Sequence, residues 1–185
     1  MYAWDEDIPG AELVPGKGKA TPRPAALEER LIRLWASPQG AVKAAIAGAA
    51  GLPVSESFGQ NPAVLLDRQE KAGAKGTTTL TWEGEKAILT FPIPGVAGAM
   101  ATATLTNYLP DRVVVTHGTN TTEFVYGKFA DWNNPLFKIE ALYAGTIVER
   151  QNGTVVRSVT TKVTEVGQIY VVMPVPASVQ KAGGK

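Results

Sequence analysis

The chain has 185 residues, 44% of them hydrophobic and 19% charged, with 18 basic against 17 acidic side chains and a formal net charge of +1. That length suits one domain with one sizeable core, and the balanced charge gives no electrostatic basis for nucleic acid or an anionic membrane as partner. Cysteine is absent, which excludes disulfides, thiolate metal sites and a cysteine nucleophile, and no window reaches the ~18 apolar residues that span a bilayer.

The chain opens on MYAWDEDIPGAELVPGKGK, acidic and rich in proline and glycine, unlike a signal peptide. It reads as a segment downstream of a removed leader, with Met1 supplied by expression. The density of breakers over residues 1–23 predicts an extended arm that Tyr2 and Trp4 anchor. From Pro24 the pattern turns helical, with Leu27, Leu31, Leu34 and Trp35 on one stripe and Glu28 and Glu29 near the N-terminus. The stretch SPQG then interrupts it. Ser37 suits an N-cap and Pro38 a first helical residue, so the expectation is two short helices meeting at a corner. A single proline-kinked helix is the competing reading. The second, alanine-rich helix is expected to end near Gly48 or Gly51.

Residues 53–76 read as a connecting region with about one helical turn around AVLL and a solvated turn at QEKAGAKG. After Gly76 the period changes to two. TTTLTWEG alternates threonine with Leu80 and Trp82, and EKAILTFPIPG follows across a tight EGEK turn. Further on, Ala101, Ala103 and Leu105 share one face, with Met100, Thr102, Thr104 and Thr106 on the other. Asn152-Gly153 supplies the positive φ angles of a two-residue hairpin turn. About seven β-rich segments spaced by ~8–12 residues predict an α+β fold: two short helices packed on a large curved antiparallel sheet, a half-barrel-like meander. The expected organisation is an arm at 1–23, a domain at 24–176 and a flexible tail at 177–185.

Few side chains fall in patterns that carry chemistry. One histidine, His117, serves neither a multi-ligand zinc site nor a triad with any G-x-S-x-G serine, and it reads as a turn residue at a strand end. Glu140, Glu149 and Glu165 fall in strand-like runs where alternation is expected to turn them outward. Glu123 and Asp131 flank aromatics, and both read as surface charges. GKGK lacks the rest of a phosphate-binding loop. No catalytic residue, metal ligand or cofactor is assigned. The candidate binding residues are aromatic: Trp35, Trp82, Phe129, Trp132, Phe137 and Tyr143.

With YAW near the start, EERLIRLWASPQGAVKAA at the corner, then YGKFADWNNP and GTVV in the sheet region, the chain resembles the non-catalytic N-terminal region of some secreted bacterial metallo-β-lactamase-fold hydrolases. Leu34, Trp35, Pro38, Gly40, Lys43, Ala44 and Ala45 match that corner, whereas Gln39, Ala41 and Val42 depart from it. The H-x-H-x-D-H metal motif of the superfamily is absent, so catalysis does not carry over. A second resemblance, at the level of fold alone, is to periplasmic lipoprotein-carrier half-barrels. Together these imply an exported, non-enzymatic binding or scaffolding module, periplasmic or extracellular. It is expected to engage a protein partner or assemble with itself through its extended termini. The alternatives are a carrier of lipid or another apolar small molecule, and an accessory domain of a hydrolase whose metal-binding domain is on no part of this chain.

Overall fold

The computed structural model describes residues 2–57, 61–73, 75–134, 139–162 and 174–183. The fold is α+β, and the chain divides into two compact units, residues 1–30 with 167–185 and residues 31–166.

In the first unit, β1 (Trp4–Glu6) pairs antiparallel with β2 (Ala20–Pro22), Asp5 opposite Thr21. The expected arm is therefore a short ribbon. Its long connection is fixed by carboxylates that accept backbone hydrogen bonds, which substitutes for the regular ladder that proline and glycine oppose. Glu6 accepts from Trp4 Nε1 and from the Gly10 amide, both at 2.8 Å. Asp5 accepts from Arg23 Nε at 2.7 Å and from Arg30 Nη2 at 3.2 Å. Gly18 lies at φ +72°, and a Cβ there would fall 2.9 Å from the Ala11 backbone.

The segment expected as a flexible tail contains a helix, α5 (Ala177–Gly183). Val179 of α5 is buried, as are Ala3, Ala11 and Ala20 of the same unit. Glu12 ties α5 to the ribbon, accepting from the Ser178 hydroxyl at 2.7 Å, the Ser178 amide at 3.2 Å and the Ala20 amide at 3.1 Å. These bonds, the Ser178 hydroxyl first, hold the Glu12 carboxyl below its ordinary value of 4.5. A depressed folded value means that the stabilisation is complete above the unfolded pKa and is lost as pH falls through the folded one. Exchange protection of the Ser178 amide, corrected for intrinsic rate, is therefore expected to fall on acidification below about pH 4.5. Protection that stays flat from pH 6 to 3 would show that Glu12 does not hold α5.

A 3₁₀ turn at Pro24–Ala26 leads into α1 (Leu27–Ala36), which carries Glu28 and Glu29 in its first turn. The corner expected at SPQG is present. Ser37 caps α2 (Pro38–Ala50), its hydroxyl accepting from the Gly40 amide at 3.1 Å, with Pro38 as the first helical residue. Gly51 at φ +64° closes α2 in the left-handed conformation, and the Leu52 amide reaches back to the Ala47 carbonyl. A short helix, α3 (Val54–Ser57), follows.

The region expected to hold about one helical turn instead forms α4 (Pro62–Ala72). Its local ends account for it. The Asn61 side chain accepts from the Ala63 amide, Pro62 takes the first position, and Gly73 at φ +60° ends the helix. Lys71 and Asp67 add an i,i+4 pair on its exposed side.

The second unit is built on a seven-stranded antiparallel sheet in strict sequential order: β3 (Thr79–Glu83), β4 (Lys86–Pro92), β5 (Met100–Thr106), β6 (Leu109–His117), β7 (Asn120–Asn134), β8 (Ile139–Gln151) and β9 (Thr154–Thr160). Among the described residues it is an open sheet, with β3 and β9 as its edges. Asn152 and Gly153, both at positive φ, make the expected hairpin turn between β8 and β9.

Alternation decides the faces. Ala87 and Phe91 of β4, Ala101, Ala103 and Leu105 of β5, Val113 and Val115 of β6, and Phe124 and Tyr126 of β7 are buried. Against that side lie the small residues of α2, with Ala41, Ala44, Ala45 and Ala47 buried, which lets the helix approach the strands closely. Thr78 Oγ1 donates to the Ala45 carbonyl at 2.7 Å, and Tyr126 Oη donates to the Ala36 carbonyl at 2.7 Å. Burial pushes the Tyr126 phenol far above its ordinary value, and Glu149 adds to this while Arg157 opposes it.

Candidate interaction surface

The aromatic candidates do not form one cluster. Trp35 is half-buried on α1, and its indole Nε1 is enclosed without a hydrogen-bond partner. Phe129 of β7 lies opposite Ala144, and Tyr143 of β8 lies opposite Ala130; both are half-buried and, as neighbouring pairs in the ladder, project to opposite faces. Trp132 occupies a β7 position opposite Ala141, but its side chain and the whole of Phe137 lie outside the described residues. Trp82 stands apart on β3, four strand spacings from β7, about 19 Å.

One carboxylate departs from the expectation. Glu149 does not point outward: it is 1% exposed, on the same face as Phe124, the residue opposite it in β7. Two arginines make that burial tolerable. Arg33 of α1 donates through Nε at 3.1 Å and Nη2 at 3.1 Å, and Arg157 of β9 donates through Nε at 2.9 Å. Glu123 lies on the opposite face and accepts from Arg112 at 2.6 Å and Arg150 at 2.9 Å. Its carboxyl is held below the ordinary range, chiefly by the Arg112 hydrogen bond. Glu123 and Asp131 are eight residues apart along one strand, about 26 Å, too far to act as an acid–base pair. His117 ends β6, followed by Gly118 at φ +59°, the turn position expected of it. Among the described residues no three histidines or carboxylates converge on a metal-sized site.

Among the described residues, the β3 edge is open for contact. Every residue of Thr79–Glu83 is exposed. Leu80 lies opposite Leu89 and Trp82 opposite Ala87, so both project to the apolar face of the sheet, yet they remain 54% and 59% exposed. The strand is held in place from its root: the Thr77 amide donates to the Gly48 carbonyl at 2.7 Å, beside the bond from Thr78 to Ala45. Alternation in TTTLTWEG places Leu80 and Trp82 on one face but carries no signal for the strand order that leaves them uncovered. The opposite edge, β9, differs. It carries a register irregularity at Glu149/Arg150, and its central Arg157 is engaged with Glu149, two features that discourage strand addition.

A groove lies elsewhere on the second unit, lined by Ala44, Ala47, Leu52, Val54 and Pro92 with Lys75 among its walls. Comparisons of the chain with protein-family models, with curated proteins and with solved structures found no match.

Proposed function

We propose that this chain is a non-enzymatic interaction module of an exported protein, and that it engages its protein partner by strand addition at β3. One observation carries the reading: a five-residue edge strand, exposed throughout, holds Leu80 and Trp82 side by side on one face. An exposed edge offers unpaired N–H and C=O groups in a row, and alternate side chains supply specificity. Because Thr77 and Thr78 already anchor the strand to α2, little ordering cost opposes its use. The resemblance at the helix corner supports the exported setting. Assembly through the termini is less favoured, because Glu12 and Ser178 engage the two ends with each other.

The test replaces Trp82 with the photo-cross-linking residue benzoylphenylalanine in the protein's own source. Tyr108, 85% exposed at the β5–β6 turn, serves as the control position. A cross-linked protein adduct is expected at position 82 and not at 108. Equal labelling at both positions, or none at 82, would sink the reading. The second reading, an apolar-ligand carrier, draws on the groove beside Lys75. A native mass spectrum of the same sample, taken before irradiation, tests it through the presence or absence of a retained small molecule.

A further inference from the structure

Building on the β3 reading, we infer that the strand's partner is β3 of a second copy, the two joined antiparallel about a two-fold axis through Thr81. A two-fold normal to a sheet preserves its faces, and opposite residues of an antiparallel pair share a face. The axis must therefore coincide with a residue and not fall between two. Within Thr79–Glu83 only the register centred on Thr81 pairs all five residues. Centring on Leu80 or Trp82 pairs three.

In the full register Leu80 faces Trp82 of the second copy twice over, Thr81 faces Thr81, and Thr79 faces Glu83. Each Leu80–Trp82 pair covers two apolar side chains that the isolated chain leaves more than half exposed. Aliphatic–aromatic and threonine–threonine pairs are favourable cross-strand neighbours, and no like charges meet. The β9 edge lacks this complementarity: centred on its middle residue, Arg157 would face Arg157. The sequence TLTWE is thus complementary to itself in a way that TVVRSVT is not.

The interface is small. A five-residue ladder is about 17 Å long, and its contact falls short of the ~1,200 Å² typical of tight complexes. The dimer is accordingly expected to be weak and concentration-dependent.

The experiment is sedimentation velocity of the full chain from micromolar to millimolar concentration, with two edge variants. Both altered side chains are exposed, and far-UV circular dichroism checks that each variant folds. Wild type is expected to pass from one chain mass to two. Trp82→Lys and Leu80→Glu alone each place a charge opposite an apolar side chain twice, and each is expected to weaken the dimer at least about tenfold. Their equimolar mixture restores one Leu80–Trp82 pair and creates one Lys–Glu pair, so it is expected to recover the wild-type mass. Recovery is specific to the Thr81 register. A wild-type chain that stays monomeric, variants that dimerise like wild type, or a mixture that does not recover would each overturn the inference. The β3 reading itself fails separately. A monomeric wild type whose position 82 cross-links a different protein keeps that reading and removes the second copy, whereas no intermolecular adduct at position 82 removes both.

Discussion

Replacing Glu149 by alanine is expected to destabilise the second unit by about 3 kcal/mol, the lower end of the range for breaking a buried ion pair. The carboxylate is 1% exposed and lies between Arg33 and Arg157. Its removal takes away the buried carboxylate that both guanidinium groups share. Those groups keep 33% and 45% of their side-chain exposure, so water compensates in part, and the cost sits at the lower end. Glu149→Gln keeps the shape and an acceptor oxygen but loses the charge, so a smaller loss is expected, about 1–2 kcal/mol. The informative control is the triple change Arg33→Met, Glu149→Leu, Arg157→Met. Replacing a whole buried ionic group with apolar residues of similar size is often close to neutral. Urea denaturation read by tryptophan fluorescence separates these cases. If Glu149→Ala costs less than about 1 kcal/mol, the ion pairs do not anchor α1 to β8 and β9.

That network also marks where reading the sequence runs out. Ile147 and Glu149 fall on one face of β8 by simple alternation, and nothing local says whether that face is covered. Coverage depends on Arg33, 116 residues earlier, and on Arg157 across the next hairpin. Long-range pairing of this kind leaves no trace in a window of ten residues. By contrast, the features with local causes were legible. The Ser37–Pro38 restart, the Asn152–Gly153 turn and the buried row Ala101, Ala103 and Leu105 each follow from capping, positive φ or period two.

The helix α4 is an instructive case between these extremes. It lacks a clear apolar stripe, so periodicity gave little, yet Asn61-Pro62 and Gly73 bracket it with start and stop signals. For the candidate site, Leu80 and Trp82 were legible as a same-face pair. Their position at an edge was not, because strand order is a property of the assembled sheet and not of any one strand.

Gly40→Ala is the other substitution expected to have a large effect, about 3 kcal/mol of destabilisation, at the upper end for overpacking. The reason lies in how the corner closes. The Leu34 carbonyl of α1 accepts from the Ser37 amide at 3.3 Å and from the Ser37 hydroxyl at 2.7 Å. That same hydroxyl accepts from the Gly40 amide. The end of one helix and the start of the next therefore converge on a single point. A Cβ on Gly40 would overlap the Leu34 carbonyl oxygen and come within 2.7 Å of Ser37 Oγ.

The chief obstacle is backbone, not the tip of a flexible side chain, so relief requires opening the corner and losing the cap. Alanine's better helix propensity, worth up to about 1 kcal/mol over glycine, offsets only part of this. Thermal unfolding should show a midpoint lowered by roughly 6–12 °C for a chain of this size. Ser37→Ala is the comparison: it removes the cap hydrogen bond but leaves the two helices room to meet, at a cost of about 1 kcal/mol. If Gly40→Ala is no worse than Ser37→Ala, close approach is not what requires glycine at position 40. If it is markedly worse, proline at 38 and glycine at 40 are two parts of one device, the first starting a helix and the second letting it start against the end of another.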